Sequence, residues 1–369
     1  MKQKYTFGLL VMMLVMAFLM LPNANTFAQN ASADHAHKFF VGKINGRWKI
    51  RMVLNKRKRG KTEKGNLSGY YYYANTRGYI QLRGTWKANG SVLAEENVMQ
   101  KGKLVKTGAM AGRFDPATGK LMGTWTSADG KKSYSLELKE TYRQGSLAAD
   151  MVYYDEVNVY GKNSPRGVSM TFLYPRFKGG KVATTINQFI KERLLKNLEE
   201  RIKKFVKQYQ EFKKSGGGSG MYFNEDNFIT IETNEKNILT ISNNQYGFTG
   251  GAHGYYNSSY YSFDLKTGKL IKIKELLYPG ADEAVKSLIA QQIRKDAQLK
   301  PNEPLAKLGI YKEVPPLAVN SYFRPDGIAF YYNVYEIGPY VIGPRLTVIP
   351  FNKIRRYLKR NTTVRKYMR

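Results

Sequence analysis

Residues 69–90 read GYYYYANTRGYIQLRGTWKANG, and this stretch decides the fold of the first half of the chain. Tyr79, Ile80 and Leu82 lead into Gly84-Thr85-Trp86, with Asn75-Thr76-Arg77-Gly78 on one side and Asn89-Gly90 on the other. A short aromatic and β-branched run bounded by Asn and Gly is a strand between tight turns. The form recurs outward in both directions. Gly46-Arg47-Trp48 and Gly123-Thr124-Trp125 carry the other two tryptophans, 38 residues before and 39 residues after Trp86. Leu121 and Met122 lead into Gly123, and turns are marked at 115–119 and at Asp129-Gly130. Strands about ten residues apart, with no helical period between them, predict an antiparallel meander or small barrel built from a repeated unit. The tryptophans are expected in its core rather than as sugar platforms. Because side chains alternate along a strand, two of Tyr70 to Tyr73 are expected on the outside.

From Tyr153 the pattern changes. Val157 to Tyr160 and Val168 to Tyr174 read as strands. Val182, Ile186, Phe189, Ile190, Leu194, Leu198, Ile202, Phe205, Val206 and Tyr209 then recur every three or four residues, the signature of a long amphipathic helix. Ser215-Gly216-Gly217-Gly218-Ser219-Gly220 ends it. Strands are predicted at Ile229 to Glu232, Ile238 to Ser242, Tyr255 to Phe263 and Leu270 to Ile273, and a second helix over Asp282 to Gln298. Pro325-Asp326-Gly327 turns the strand Ser321 to Arg324 into Ile328 to Tyr335. The whole is α+β: an all-β repeat domain over residues 38–142, then an α+β domain over 153–369 with an antiparallel sheet and a long helix. The two folding units are expected to meet between Thr141 and Tyr153.

Lys2 and Lys4 precede an apolar run from Phe7 to Leu21, and Thr26-Phe27-Ala28 supplies small residues at a cleavage point. Residues 1–28 therefore read as a secretory leader cut after Ala28, followed by a flexible segment over 29–37. Fifteen apolar residues fall short of the roughly 20 that span a hydrocarbon core, so no transmembrane anchor is expected. The product is placed outside the cytoplasm, in the periplasm or secreted.

The chain of 369 residues has 60 Lys and Arg against 28 Asp and Glu, a net charge of +32, and no Cys. Removing the leader takes two Lys and no acid, leaving +30. Such a charge favours anionic partners, and outside the cytoplasm these are wall polymers and glycans rather than nucleic acid. Lacking Cys, the chain cannot hold a thiolate metal site or use a thiol nucleophile. The full Gly-x-x-x-x-Gly-Lys-Thr/Ser phosphate loop is absent, and so is a Gly-x-Ser-x-Gly elbow, since Met221 replaces the last Gly after Ser219. Lys56, Arg57, Lys58 and Arg59 lie where a hairpin loop is expected, as a solvated loop or a polyanion contact.

Thr249-Gly250-Gly251-Ala252-His253-Gly254, then Phe263-Asp264 with Thr267-Gly268-Lys269, then Tyr335-Glu336-Ile337-Gly338-Pro339-Tyr340-Val341-Ile342-Gly343, resemble the bacterial extracytoplasmic domain of unknown function 3298. That domain and the helix-bearing segment before it occur in RsiV-type anti-sigma ectodomains and in PdaC-type peptidoglycan deacetylases. The resemblance covers about residues 153–359. It implies an α+β fold and a binding or accessory role at the envelope, and it carries over no catalytic site. With His35 and His37 assigned to the flexible segment, His253 is the one histidine expected in the fold. A single His makes no multi-histidine metal site, and neither catalytic residues nor a cofactor or metal is expected. A pocket, if one exists, is expected near His253, Glu336 and Tyr340, with Glu336 in a strand and paired or exposed. The leading expectation is a non-enzymatic envelope protein binding anionic polysaccharide or wall polymer. The alternatives are a sensor or inhibitor ectodomain with a protein partner and a carboxylate-dependent polysaccharide hydrolase.

Overall fold

The structure, a computed structural model, describes residues 34–58, 64–100, 103–142, 145–218, 220–360 and 362–368. The expected leader and its cut lie outside the described residues. Eight antiparallel strands come first: β1 (His35–Ile44), β2 (Trp48–Arg57), β3 (Lys64–Tyr73), β4 (Ile80–Lys87), β5 (Ser91–Gln100), β6 (Lys103–Asp115), β7 (Lys120–Ser127) and β8 (Ser133–Glu140). They pair in chain order and close into a barrel through β8 and β1. Phe40, Ile50, Met52, Leu54, Leu82 and Trp86 are among the residues of its packed core.

The tryptophans are not equivalent in this barrel. Trp48 opens β2, Trp86 lies near the end of β4 at the opposite rim, and Trp125 lies late in β7, so their spacing does not mark a superimposable unit. Their glycines also differ. A Cβ on Gly84 or Gly123 would sit 1.9 or 2.2 Å from the carbonyl oxygen of the adjacent strand, so both permit close strand approach, whereas Gly46 turns a hairpin at φ 64°. The core assignment holds for Trp86, which is 3% exposed, while Trp48 and Trp125 are half-buried.

The second region builds a six-stranded sheet in the order β14-β13-β12-β11-β10-β9. Its strands are β9 (Ala149–Asp155), β10 (Val168–Phe177), β11 (Phe223–Glu235), β12 (Ile238–Phe248), β13 (Tyr255–Asp264) and β14 (Leu270–Ile271). All neighbours are antiparallel except β10 and β11, which a helical crossover makes parallel. Val157 to Tyr160, expected as a strand, is instead the short helix α1 (Glu156–Tyr160), because Asp155 and Asn158 form a reciprocal capping box. The crossover holds α2 (Lys181–Phe189), a π turn over Ile190–Leu194, and α3 (Leu198–Lys214). The helical run is thus interrupted where Asn197 adopts a left-handed backbone, and Leu194, Leu195 and Leu198 are all buried around the break. Further helices are α4 (Ile273–Leu276), α5 (Asp282–Asp296), α6 (Phe351–Ile354) and α7 (Thr363–Tyr367). A three-stranded sheet of β15 (Asn320–Phe323), β16 (Gly327–Tyr332) and β17 (Arg345–Pro350) completes the fold. No helix among the described residues is long and apolar enough to cross a membrane.

The barrel and the α+β region form one compact unit. Phe39, Val53, Tyr70 and Tyr72 point out of the barrel, yet they are buried against the second region. The expectation that two of the four consecutive tyrosines are exposed therefore fails, because the outward face of β3 is itself an interface. Tyr72 donates to the Glu235 carboxylate at 2.5 Å, and Arg51 pairs with the same carboxylate at 2.7 Å. Arg324 packs 3.7 Å over the Tyr79 ring while its fork holds Asp326. Arg77 donates to the Tyr367 carbonyl at 2.8 Å. Between the two regions, Asn234 grips both backbone groups of Leu147.

The segment expected to be flexible over 29–37 is corrected at its end, since His35 and His37 already belong to β1 and are buried. His35 stacks on Tyr153 at 5.1 Å, and His37 Nδ1 donates to Asn55 Oδ1 at 2.7 Å. Burial pulls both imidazoles down to about 4. His253 is consequently one of three histidines in the fold.

Candidate functional site

One face of the six-stranded sheet is covered by α2 and α3; the other carries a row of polar side chains. Strand pairing sets Thr230 opposite Ser242, Asn244 opposite Ser258, and Ser242 opposite Tyr260, so all point to this second face. They are linked directly. Glu232 Oε1 accepts from Thr230 Oγ1 at 3.1 Å and from Ser242 Oγ at 2.7 Å. Asn244 Nδ2 donates to Ser242 Oγ at 2.8 Å, and Asn244 Oδ1 accepts from Ser258 Oγ at 2.8 Å. Asn333, just beyond β16, exchanges hydrogen bonds with the Ser258 backbone and donates to Glu336 Oε1 at 3.2 Å.

This row runs beside two groups of aromatic rings. The barrel supplies Tyr70 and Tyr79, whose rings stack at 4.7 Å, together with Lys56 and Arg57; these side chains and Thr230 and Glu232 line a cleft of about 250 Å³. Farther along the row, beyond the lining of that cleft, Tyr260 stacks on Tyr322 at 4.4 Å and packs on Tyr331 at 5.2 Å. Burial pushes the Tyr79 hydroxyl up to about 12 despite the nearby Arg324, and burial likewise raises Tyr260 and Tyr322. These phenols stay neutral and act as hydrogen-bond donors and flat apolar surfaces. Ser242 is fully buried and links the row from beneath, whereas Thr230, Glu232, Asn244 and Ser258 are half-buried; such amide, hydroxyl and carboxylate groups beside aromatic rings can hold a polyhydroxylated ligand by several hydrogen bonds.

The residues singled out by sequence fall into three places. His253 is exposed in the loop between β12 and β13, stacks on Tyr340 at 4.4 Å, and shares the Gly254 carbonyl with the Tyr340 hydroxyl. Tyr256 and Tyr335 pack around Tyr340, making an exposed aromatic cluster at the far end of the polar row. Glu336 is not in a strand: β16 ends at Tyr332, and Glu336 is exposed in the turn that follows. It lines a separate cleft of about 270 Å³ with Lys286, Tyr311 and Lys312. The structure therefore brings His253 and Tyr340 together and turns Glu336 elsewhere.

The basic run is not a solvated loop at its start. Lys56 and Arg57 are the last residues of β2; Lys56 is 8% exposed, and burial lowers its pKa. Arg57 lies 4.4 Å over the Phe228 ring, and Lys58 pairs with Asp34 at 3.1 Å. Arg59 lies outside the described residues.

Glu232, Asn244 and Tyr260 were not picked out from sequence. The available signal was alternation: Thr230 and Glu232 interleave with Ile229 and Ile231, which marks a strand with a polar second face. Among the described residues no group of three or more His, Asp or Glu is assembled as a metal site.

Residues 162–256 match the family model described as Deacetylase PdaC, and residues 274–352 match Protein of unknown function (DUF3298). No curated protein matches the chain. A DUF3298 family protein of Bacteroides fragilis is similar at 24% identity and TM-score 0.49, over 61% of this chain and 99% of that one. A DUF3298 family protein of Pseudomonas aeruginosa is similar at 14% identity and TM-score 0.43, over 59% and 95%.

Proposed function

We propose that this chain is an extracytoplasmic accessory protein that binds a glycan of the bacterial envelope, without catalysing its cleavage, in the cleft between the barrel and the six-stranded sheet. The observation that carries the reading is the linked row Glu232-Ser242-Asn244-Ser258, whose Glu232 end opens into the cleft lined by Tyr70 and Tyr79 and which continues along the sheet beside Tyr260, the strand partner of Ser242. Sugars present hydroxyls around their rim and an apolar C–H face, and such a row with flanking rings complements both. The PdaC and DUF3298 matches support a place at the envelope, and the sequence pattern of residues 1–28 supports export. Calorimetric titration with soluble peptidoglycan fragments tests it. Asn244→Leu and Tyr260→Ala should each weaken binding by about five- to thirtyfold, as expected from loss of one to two kcal/mol of contact. Unaltered affinity in both variants rejects the cleft.

A second reading, a protein partner, is favoured by one feature. Where β5 and β6 extend past the barrel, Met99 is 67% exposed and Leu104 and Val105 are exposed beside it. Exposed apolar side chains at a hairpin end fit a protein contact better than a sugar.

A further inference from the structure

A second cationic surface, with no acid of its own, lies far along the chain from the basic run of β2; two of its cations, Lys359 and Arg365, donate to the Glu275 and Arg355 carbonyls. From Ile337 to Arg369 the sequence has nine Lys and Arg and no Asp or Glu. Arg355, Arg356, Lys359, Arg360, Arg365 and Lys366 fall between a 3₁₀ turn at Arg355–Tyr357 and the end of α7. All but the half-buried Arg365 are exposed.

These cations are held in place by a packed scaffold. Ile354, Leu358, Val364 and Tyr367 beneath them are at most 1% exposed. Leu358 bridges Leu277, and the Lys359 amide donates to the Leu276 carbonyl at 2.8 Å. Thr362 caps α7 by accepting from the Arg365 amide, and the Arg365 guanidinium donates to the Arg355 carbonyl at 2.8 Å. The carboxylates on the adjoining segment are already engaged: Glu275 with Lys272 at 3.4 Å and Asp282 with Lys274 at 3.9 Å. Among the described residues, the six cations have no carboxylate of their own within ion-pairing distance.

Fixed like charges repel, so an array without acids is an electrostatic cost that a bound anion relieves. Four of the six are arginines, whose planar forks match phosphate oxygens. We propose that this face binds a linear polymer of phosphodiester-linked polyols. The proposal rests on the extracytoplasmic reading above and adds a contact separate from the cleft. Two observations favour such a polymer over other phosphate carriers. No large apolar side chain on residues 351–368 is exposed, so nothing there enters a lipid acyl layer. Tyr357 is half-buried with Arg356 lying 4.9 Å over its ring, so the face has no free aromatic platform for stacking bases.

Binding of the full chain to a poly(glycerol phosphate) chain, followed by fluorescence anisotropy across a salt series, tests this. The wild type should lose affinity linearly on a log–log plot. Arg355→Ser/Arg356→Ser/Arg360→Ser should bind at least tenfold more weakly at low salt, with the slope reduced by about two to three. Arg360→Glu/Lys366→Glu, which touches only exposed side chains, should show the same loss with an unchanged melting curve. Tyr260→Ala should bind this polymer like the wild type even where it has lost glycan fragments, which separates this face from the cleft. Equal binding by both patch variants and the wild type overturns the proposal. So does tighter binding to phosphatidylglycerol vesicles, or to single-stranded DNA of equal phosphate content.

Discussion

Acid should loosen this protein in part through the buried imidazole of His37, one of two histidines that burial holds neutral. His37 is 2% exposed on the outward face of β1; its Nδ1 donates to Asn55 Oδ1, and its Nε2 is buried with no acceptor. Protonation would place an N–H and a charge where nothing receives them, so burial holds the native pKa at about 4, against 6.5 for a free imidazole. The direction follows. Above pH 6.5 both folded and unfolded chains are neutral at this position and His37 contributes no pH dependence. Between 6.5 and about 4 the unfolded chain takes up a proton that the folded chain refuses, so stability falls with pH; below 4 the effect levels off. A difference of that size corresponds to about 3 kcal/mol for His37. The experiment is urea unfolding of wild type and His37→Gln at pH 7.5, 6, 5 and 4. Carboxylate titrations are common to both proteins and cancel in the comparison. The wild type should lose about 3 kcal/mol more than the variant across this range. Parallel pH profiles would refute the assignment of His37 as a buried neutral group.

Other consequences are as direct. Tyr72→Phe removes a hydrogen bond to the buried Glu235 carboxylate and should cost about 1.5–3 kcal/mol in denaturant unfolding, with the barrel and the α+β region still melting in one transition. Two separated transitions in the wild type would show that their interface does not couple them. Glu96 inside the barrel rim accepts from Tyr71 at 2.5 Å and from Thr107 and Trp125 at 2.6 Å; Glu96→Ala leaves three donors without partners and should cost about 3 kcal/mol, with a change in tryptophan fluorescence. Arg57→Ala should lower stability by about 1 kcal/mol, because the guanidinium packs on Phe228. A stability equal to wild type would return Arg57 to the class of solvated charges.

The parts of this fold that were legible in sequence are those written in short-range patterns. Asn89-Gly90 and Asp129-Gly130 place turns, and both glycines take positive φ. The period of Ile186, Ile190, Leu194 and Ile202 places helix over the crossover, but nothing in that period reveals that Asn197 breaks it. The spacing of short strands and turns predicted a barrel and was right about the architecture, whereas the Trp spacing does not mark a repeat: Trp48 and Trp125 both pack on Tyr134, while Trp86 lies in the core at the other rim. What escaped was long-range. Alternation correctly puts Tyr70 and Tyr72 on the outside of the barrel, and only the docking of β11 against β3 makes that outside an interior. The same docking converts Lys56 and Arg57 from a loop into the wall of a cleft. The candidate site shares this origin, since Glu232, Asn244 and Tyr260 lie on three strands of one sheet and face residues from two other layers. His253 and Tyr340 meet because they belong to loops that converge, which the motifs containing them mark without giving the distance.

The account turns on whether the tyrosine-walled cleft holds a glycan. Saturation-transfer NMR of the full chain with soluble peptidoglycan fragments, repeated on Asn244→Leu, measures this contact directly. The cleft reading predicts transfer to the ligand's ring protons in the wild type and its loss in a variant that melts like the wild type. Equal transfer in both proteins, or none in either, would contradict it.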